Sequence, residues 1–344
     1  MLVLEQLDPA LVDWAALDSF PDRVVFQTRA WLDFIAAARG CDVVVAAVKD
    51  GTSTVGYFTG LVMHRYGLRI LGSPLPGWST GYLGFNLADG VPRRAALEAL
   101  APFAFRTLGC CHVEVRDRLL VPSDVDALGL AWRPARTHLV DLRPDEDVIF
   151  GRMSSACRRN IRKATKCGVT IEQATDPRFA EDYYDQLRDV FARQALVPTY
   201  GIDRVRTLVE HLGPTGNLLL LRARDPDGRC IATVALPWFN TMMYFWGGAS
   251  YRAHQLLRPN EALVWHAIRY AKAHGVTELD MGGGGAYKSK YGATETVVPW
   301  ARVSRYPMLE HLRNAARQAF TLRQRATARV AALRGTLAPQ GSPR

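Results

Sequence analysis

Four consecutive glycines, Gly282 to Gly285, directly follow the apolar run Thr277-Glu-Leu-Asp-Met281, and they constrain this chain more than any other feature. A glycine run ends a strand, because it offers no side chain to pack and has maximal backbone freedom. Two lysines come next, Lys288 and Lys290, framed by Tyr287 and Tyr291 and closed by Gly292. Bare main chain at Gly282 and Gly283 is thereby set beside concentrated positive charge, with Asp280 at the strand's end. Glycine lets a ligand approach the backbone, and an ammonium group neutralises a phosphate or a developing oxyanion. The segment reads as an acyl- or phosphate-handling corner, although a plain glycine-rich turn with solvated lysines has the same local sequence.

The elements leading into that corner follow from periodicity. In Pro259–His274 the apolar residues Leu263, Val264, Ala267, Ile268 and Ala271 recur at steps of three and four. Proline opens the segment and Gly275 stops it, so the pattern predicts a helix. Before it, strands are expected at 218–223, 230–236 and 242–248 around the turn Asp225-Pro-Asp-Gly228, and helices at 147–166, 179–194 and 203–212. The first half gives a similar order: a helix at 30–39, strands at 43–48, 55–63 and 68–71, a helix at 93–108 ending at Gly109, and a strand at 112–116. The expectation is an α+β chain holding two copies of one fold, each a mostly antiparallel mixed sheet with flanking helices. With 344 residues, two domains are expected, 1–145 and 146–306, divided near Asp141-Leu-Arg-Pro-Asp-Glu-Asp147.

Residues 307–344 form a third piece. Arginines at 313, 317, 323, 325, 329 and 334 are opposed nearby by Glu310 alone. This reads either as a solvated surface helix closing the fold or as a basic C-terminal helix that grips RNA or makes peripheral contact with an anionic membrane.

The net charge of +10 favours an anionic partner such as tRNA, a nucleotide-sugar diphosphate or an acidic membrane face. The opening Met-Leu-Val-Leu-Glu-Gln-Leu-Asp-Pro lacks the basic and apolar regions of a signal peptide, and no stretch is long enough to span a bilayer, so the cytoplasm is the expected compartment. Six cysteines, at 41, 110, 111, 157, 167 and 230, show no metal-ligand or disulfide spacing and read as reduced thiols.

Upstream of the glycines stand Tyr244-Phe-Trp-Gly-Gly-Ala-Ser250, Leu257-Arg-Pro-Asn-Glu-Ala-Leu-Val-Trp265, Ala271-Lys-Ala-His-Gly275 and Glu278-Leu-Asp280. With Arg159-Asn-Ile-Arg-Lys-Ala164, Gly168-Val169 and the pairs Tyr287-Lys288 and Tyr291-Gly292, this ordered series resembles the Fem family of peptidyl and aminoacyl transferases. Related tandem GNAT-fold acyltransferase-like domains of cell-envelope and polysaccharide pathways share it. The resemblance is strongest from about Arg158 to Gly292, while Phe26-Gln27 and Trp31 are similar to the family's opening aromatic motif.

The resemblance implies two tandem GNAT-like domains, no resident cofactor, an aminoacyl-tRNA donor and an amine acceptor on a peptidoglycan precursor or another anionic small-molecule or lipid-linked compound. Lys288 matches the motif lysine and is expected to stabilise the transferring carbonyl or its oxyanion. Asp280 is a candidate proton acceptor or a cap for the turn. Arg193 falls where the family usually carries an arginine facing the acceptor's anionic group. Lys290 is an auxiliary phosphate contact or simply exposed. Arg159, Arg162 and Lys163 sit at helical spacing, so part of the cluster can face a nucleic acid or pyrophosphate, or form a solvated basic face. Tyr287, Tyr291, Gly282, Gly283 and Asn260 complete the substrate-contact candidates. One departure concerns Trp31: precursor-binding members tend to place a lysine shortly after it, whereas Leu-Asp-Phe-Ile-Ala-Ala follows here, which counts against a UDP-linked acceptor.

Amide formation from an activated acyl group needs a neutral amine, donors for the oxyanion and a site that holds both substrates, with no serine, cysteine or metal demanded. The sequence accordingly shows no His-Glu-x-x-His and no phosphate loop. Typical GNAT enzymes hold the CoA pyrophosphate on main-chain amides at a glycine-containing helix start. Here that helix begins Leu257-Arg-Pro-Asn-Glu, and proline has no amide hydrogen to offer. The alternatives kept are an acyl-CoA-dependent N-acyltransferase of polysaccharide or natural-product assembly, and a catalytically silent protein that binds RNA or membrane through its tail.

Overall fold

The computed structural model describes residues 1–193 and 196–306, together with residues 308 and 318. The basic tail expected over 307–344 otherwise lies outside the described residues.

The first half runs β1 (Val3–Leu7), α1 (Trp14–Asp18), α2 (Arg29–Arg39), β2 (Cys41–Asp50), β3 (Ser53–Arg65), β4 (Leu68–Ser73), β5 (Gly84–Leu87), α3 (Arg93–Pro102), β6 (His112–Val115), α4 (Pro122–Asp126) and β7 (Ala131–Asp141). The second half runs α5 (Glu146–Arg152), α6 (Ser155–Lys166), β8 (Thr170–Gln173), α7 (Phe179–Ala192), α8 (Ile202–Leu212), β9 (Leu218–Arg224), β10 (Cys230–Phe239), β11 (Met242–Tyr244), β12 (Gly247–Ser250), α9 (Pro259–Ala273), β13 (Glu278–Asp280) and β14 (Thr294–Ser304).

All the described strands join one sheet with the order β1-β2-β3-β4-β6-β14-β7-β13-β11-β10-β9-β8. Outward from the central antiparallel pair β14–β7, each side repeats the same pattern. The second pairing out is parallel, β4 with β6 and β11 with β13. A short side strand then branches off, β5 from β3 and β12 from β10. These are the two expected copies, joined by an exchange of strands: β14, late in the chain, lies between β6 and β7 of the first half.

Helices cover both faces. Trp31, Phe34 and Ile35 of α2 share one apolar core with Phe179 of α7 and Val205 and Leu208 of α8, so this core spans the two halves. On the opposite face, α6 and α9 pack over the second half and α3 over the first. Within β10, Ala235 faces one core and Val234 the other, the period-two alternation of a sheet buried on both sides.

Three expected elements are broken. The helix expected over 93–108 is α-helical to Pro102 and continues as a π turn, Phe103–Thr107. The stretch 147–166 is two helices, because the Ser154 hydroxyl accepts from the Cys157 amide at 3.2 Å and starts α6 afresh. The strand expected over 242–248 divides into β11, paired to β13, and β12, paired to β10. A Cβ on Gly247 would stand 2.2 Å from the Tyr183 hydroxyl, and one on Gly248 would stand 2.7 Å from the Phe245 ring. Glycine at these positions allows the chain to swing from one neighbour to the other.

Candidate active site

Where β11 and β12 part, a cleft of about 520 Å3 opens between the end of α7, strands β10 and β12, the start of α9 and the 286–291 turn. Val234, Leu263, Val264 and Met281 give it an apolar wall, and Arg193, Ser250, Asn260, Tyr287, Lys290 and Tyr291 supply polar atoms. Among the described residues the lining holds two cations and no carboxylate. At the symmetry-related corner of the first half, the Arg93 guanidinium is bonded to Asp22, to Asp117 at 2.8 Å and to the Phe85 carbonyl at 3.0 Å. That ion cluster leaves a hollow of only about 10 Å3. A separate apolar hollow of about 200 Å3, bordered by α3 and β14, contains none of the motif residues.

The start of α9 is electrostatically occupied. Glu261, 7% exposed, accepts from the Lys290 ammonium at 2.8 Å and from the Asn160 amide at 3.1 Å. Its carboxylate complements the positive end of the helix dipole. A diphosphate at this helix start would meet a buried carboxylate and a proline nitrogen with no hydrogen. Lys290 lies 5.0 Å from the centre of the Tyr291 ring, and Asn260 donates to the Ser250 hydroxyl at 3.1 Å. Arg193 borders the cleft but is tied to Asp189 at 3.2 Å and to the Ser250 carbonyl at 3.1 Å.

Lys288 sits beneath the glycine loop, not in the cleft wall. It is 6% exposed, and its ammonium donates to the carbonyls of Met281, Gly282 (3.2 Å) and Gly283 (2.9 Å). Burial pulls its pKa below the ordinary lysine range, partly offset by Asp280. The sequence reading gave this ammonium to the transferring carbonyl; in this structure its three hydrogens hold the loop. Gly282 and Gly283 likewise form the loop and lie outside the cleft lining. Gly283 is pressed to β7, where a Cβ would stand 2.6 Å from the Arg136 carbonyl oxygen.

Asp280 is fully buried and accepts from the Gly282 amide at 2.6 Å, the Tyr82 hydroxyl at 2.6 Å and the Thr137 hydroxyl. The turn-capping role is the one the geometry displays, and two of its three donors come from the first half. Arg159, Arg162 and Lys163 project from α6 as exposed side chains, with Arg162 5.2 Å from the Phe150 ring and no acidic partner for any of them among the described residues.

The structure thus gathers Arg193, Asn260, Tyr287, Lys290 and Tyr291 at one cleft and sets Lys288, Asp280, Gly282 and Gly283 behind it. Sequence reasoning missed Glu261, Ser250 and Phe245. Only the acid in the first turn of α9 gave a signal, since its partner Lys290 lies in another element.

Residues 151–291, which build this cleft, match the family model described as an acetyltransferase (GNAT) domain. Over these residues the chain carries a GNAT-type acyltransferase domain. The architecture of the chain is the tandem, Fem-like form of that fold. The crystal structure of FemX aligns with a TM-score of 0.70 at 14% identity, covering 86% of this chain and 97% of that one. L-PGS from Bacillus licheniformis aligns at 0.53 and 12% identity, covering 91% and 97%. A tandem GNAT protein from the clavulanic acid biosynthesis pathway aligns at 0.50 and 13%, covering 89% and 99%. At such identities the likeness is one of fold. No curated protein matches the chain in sequence.

Proposed function

We propose that this protein forms amide bonds by moving an aminoacyl group from an aminoacyl-tRNA to the amine of a cell-envelope precursor or a related small molecule. The occupied start of α9 carries the reading: Pro259 removes an amide donor and the Glu261–Lys290 pair stands where a CoA pyrophosphate would be cradled. A donor held through a polynucleotide needs no such cradle. The exposed cations of α6, whose neighbour Asn160 reaches Glu261, offer a sequence-independent grip on phosphates. Catalysis then rests on holding ester and amine in contact in the apolar cleft, with the amine attacking as the free base and the cleft cations countering developing negative charge.

A second reading, transfer from an acyl thioester of CoA or a carrier, is favoured by the cleft lining, which among the described residues holds no carboxylate to receive a donor's α-ammonium group. One assay decides between them. Radiolabelled aminoacyl-tRNA and radiolabelled acetyl-CoA are offered in parallel to an amine-rich extract containing peptidoglycan precursors. RNase-sensitive product supports the first reading, CoA-only transfer establishes the second, and no product from either donor removes both.

A further inference from the structure

Arg116, directly after β6, is an anomaly in the middle of the molecule. It is 9% exposed, and its side chain makes no hydrogen bond or ion pair among the described residues. Its contacts are aromatic: the guanidinium carbon lies 4.7 Å from the centre of the Tyr82 ring and 5.6 Å from that of Trp300. Trp300, also 9% exposed, has a buried indole N–H with no partner among the described residues. Arg133 covers the same indole, its guanidinium carbon at 4.1 Å.

A guanidinium removed from water normally finds a carboxylate, because an uncompensated buried charge is strongly disfavoured. The carboxylates nearby have other partners, and the buried Glu114, two residues earlier in the chain, lies 3.4 Å from the His112 ring. Asp280 is bonded to Tyr82, Thr137 and Gly282, and Asp117 is bonded to Arg93 and to the Phe85 and Leu119 amides. Two adjacent donor groups without acceptors among the described residues, beside a second cation, Arg133, have hydrogens to give. Aromatic faces on Tyr82 and Trp300 hold the guanidinium in place while its N–H groups stay available. The pair adjoins the residues behind the cleft: Tyr82 is bonded to Asp280 at the root of the glycine loop, and Tyr244, within electrostatic range of both Asp280 and Arg116, precedes the cleft residue Phe245.

We propose that Arg116 and Trp300 form an oxyanion-binding site at the seam of the two halves, which receives a carboxylate or phosphate group of the molecule that accepts the acyl group. The assignment of that ligand as acceptor rests on the acyltransferase reading; the site itself does not. It would fix the acceptor by a charged group remote from its amine, leaving the amine free to be positioned at the cleft.

The indole resonance of Trp300, assigned with Trp300→Phe, reports on the site in 15N-labelled full-length protein. Sodium phosphate and sodium acetate are titrated separately at constant ionic strength. The expected result is a saturable shift of that resonance with at least one anion, the better ligand distinguishing a phosphate from a carboxylate group. Arg116→Gln is expected to weaken the binding at least about tenfold, the order of one lost charge-assisted contact. Arg116→Lys, which keeps the charge, decides the matter if the glutamine variant loses its native spectrum, and is expected to bind more weakly than the parent. No saturable shift with either anion, or an affinity unchanged by the decisive Arg116 variant, overturns the proposal. Anion binding in a protein that transfers no acyl group leaves the site standing and removes the acceptor assignment.

Discussion

Two lysines two positions apart have opposite surroundings, and the difference is testable. Lys288 gives all three ammonium hydrogens to loop carbonyls, whereas Lys290 gives one to Glu261 at the cleft's edge. Lys288→Met is expected to cost about 2–3 kcal/mol in urea unfolding, because charge-assisted bonds to buried carbonyls are lost and the carbonyls are left bare. Lys290→Met, on a partly exposed side chain, is expected to cost about 1 kcal/mol and to show its larger effect on donor KM. Burial depresses the Lys288 pKa, so between that lowered value and the ordinary 10.5 the unfolded chain binds more protons than the native one. Stability is therefore expected to rise with pH through that window, and this component should vanish in Lys288→Met. A pH-independent difference between parent and variant would contradict the buried-ammonium account.

At the scale of elements, Arg222 of β9 clamps the start of α7. Its guanidinium, 3% exposed as a residue, is bonded to Asp176 at 2.5 Å and Asp182 at 2.7 Å. The Asp176 pKa is held down to about 2, chiefly by its hydrogen bond to Arg222. The stabilisation is complete above the ordinary carboxyl value of 3.8 and is lost as pH falls through about 2, so amide exchange in the first turns of α7 is expected to accelerate over that range, and Asp176→Asn to remove the dependence. The glycine loop gives a second element-scale test. Gly283→Ala must push the loop off the Arg136 carbonyl, and transfer is expected to fall at least about tenfold while the melting temperature moves by only a few degrees.

What could be read from the sequence divides along the same line. α9 was legible because its apolar steps, opening Pro259 and closing Gly275 all lie within one segment. The β9–β10 turn was legible from Asp225-Pro-Asp-Gly228. Strands β7 and β14 were not, since their partners lie far along the chain and β14 carries Pro299 in its middle. The cleft was half legible: Tyr287, Lys290 and Tyr291 announce themselves beside the glycines. Which of Lys288 and Lys290 reaches the cleft depends on how the 286–291 turn coils, and that is fixed by carbonyls no motif records. Arg116 carried no sequence signal, because its meaning lies in the acceptors it lacks.

For the molecule as a whole, the shared sheet and the core common to α2, α7 and α8 couple the two halves. A single cooperative thermal transition is expected by calorimetry, with calorimetric and van't Hoff enthalpies equal. Expressed alone, residues 1–145 are expected to remain unfolded, and co-expression with residues 146–344 to restore a soluble complex. Two resolved transitions, or a folded 1–145 fragment, would show that the strand exchange is dispensable. The buried contacts of Asp280 with Tyr82 and Thr137 add a polar tie across the same seam, so disturbing one half is expected to be felt in the glycine loop of the other.

The place of β14 between β6 and β7 also sets a timetable. During synthesis, β6 and β7 emerge roughly 150 to 180 residues before the strand that pairs with both, so their inward edges remain open templates for as long as the second half is being made, roughly 8 to 35 seconds at ordinary elongation rates of about 5–20 residues per second. The first half cannot close early, as an N-terminal domain usually does. A nascent chain of this protein should therefore depend on chaperones up to its last strand, and a ribosome stalled before Thr294 should hold a first half that proteases still cut.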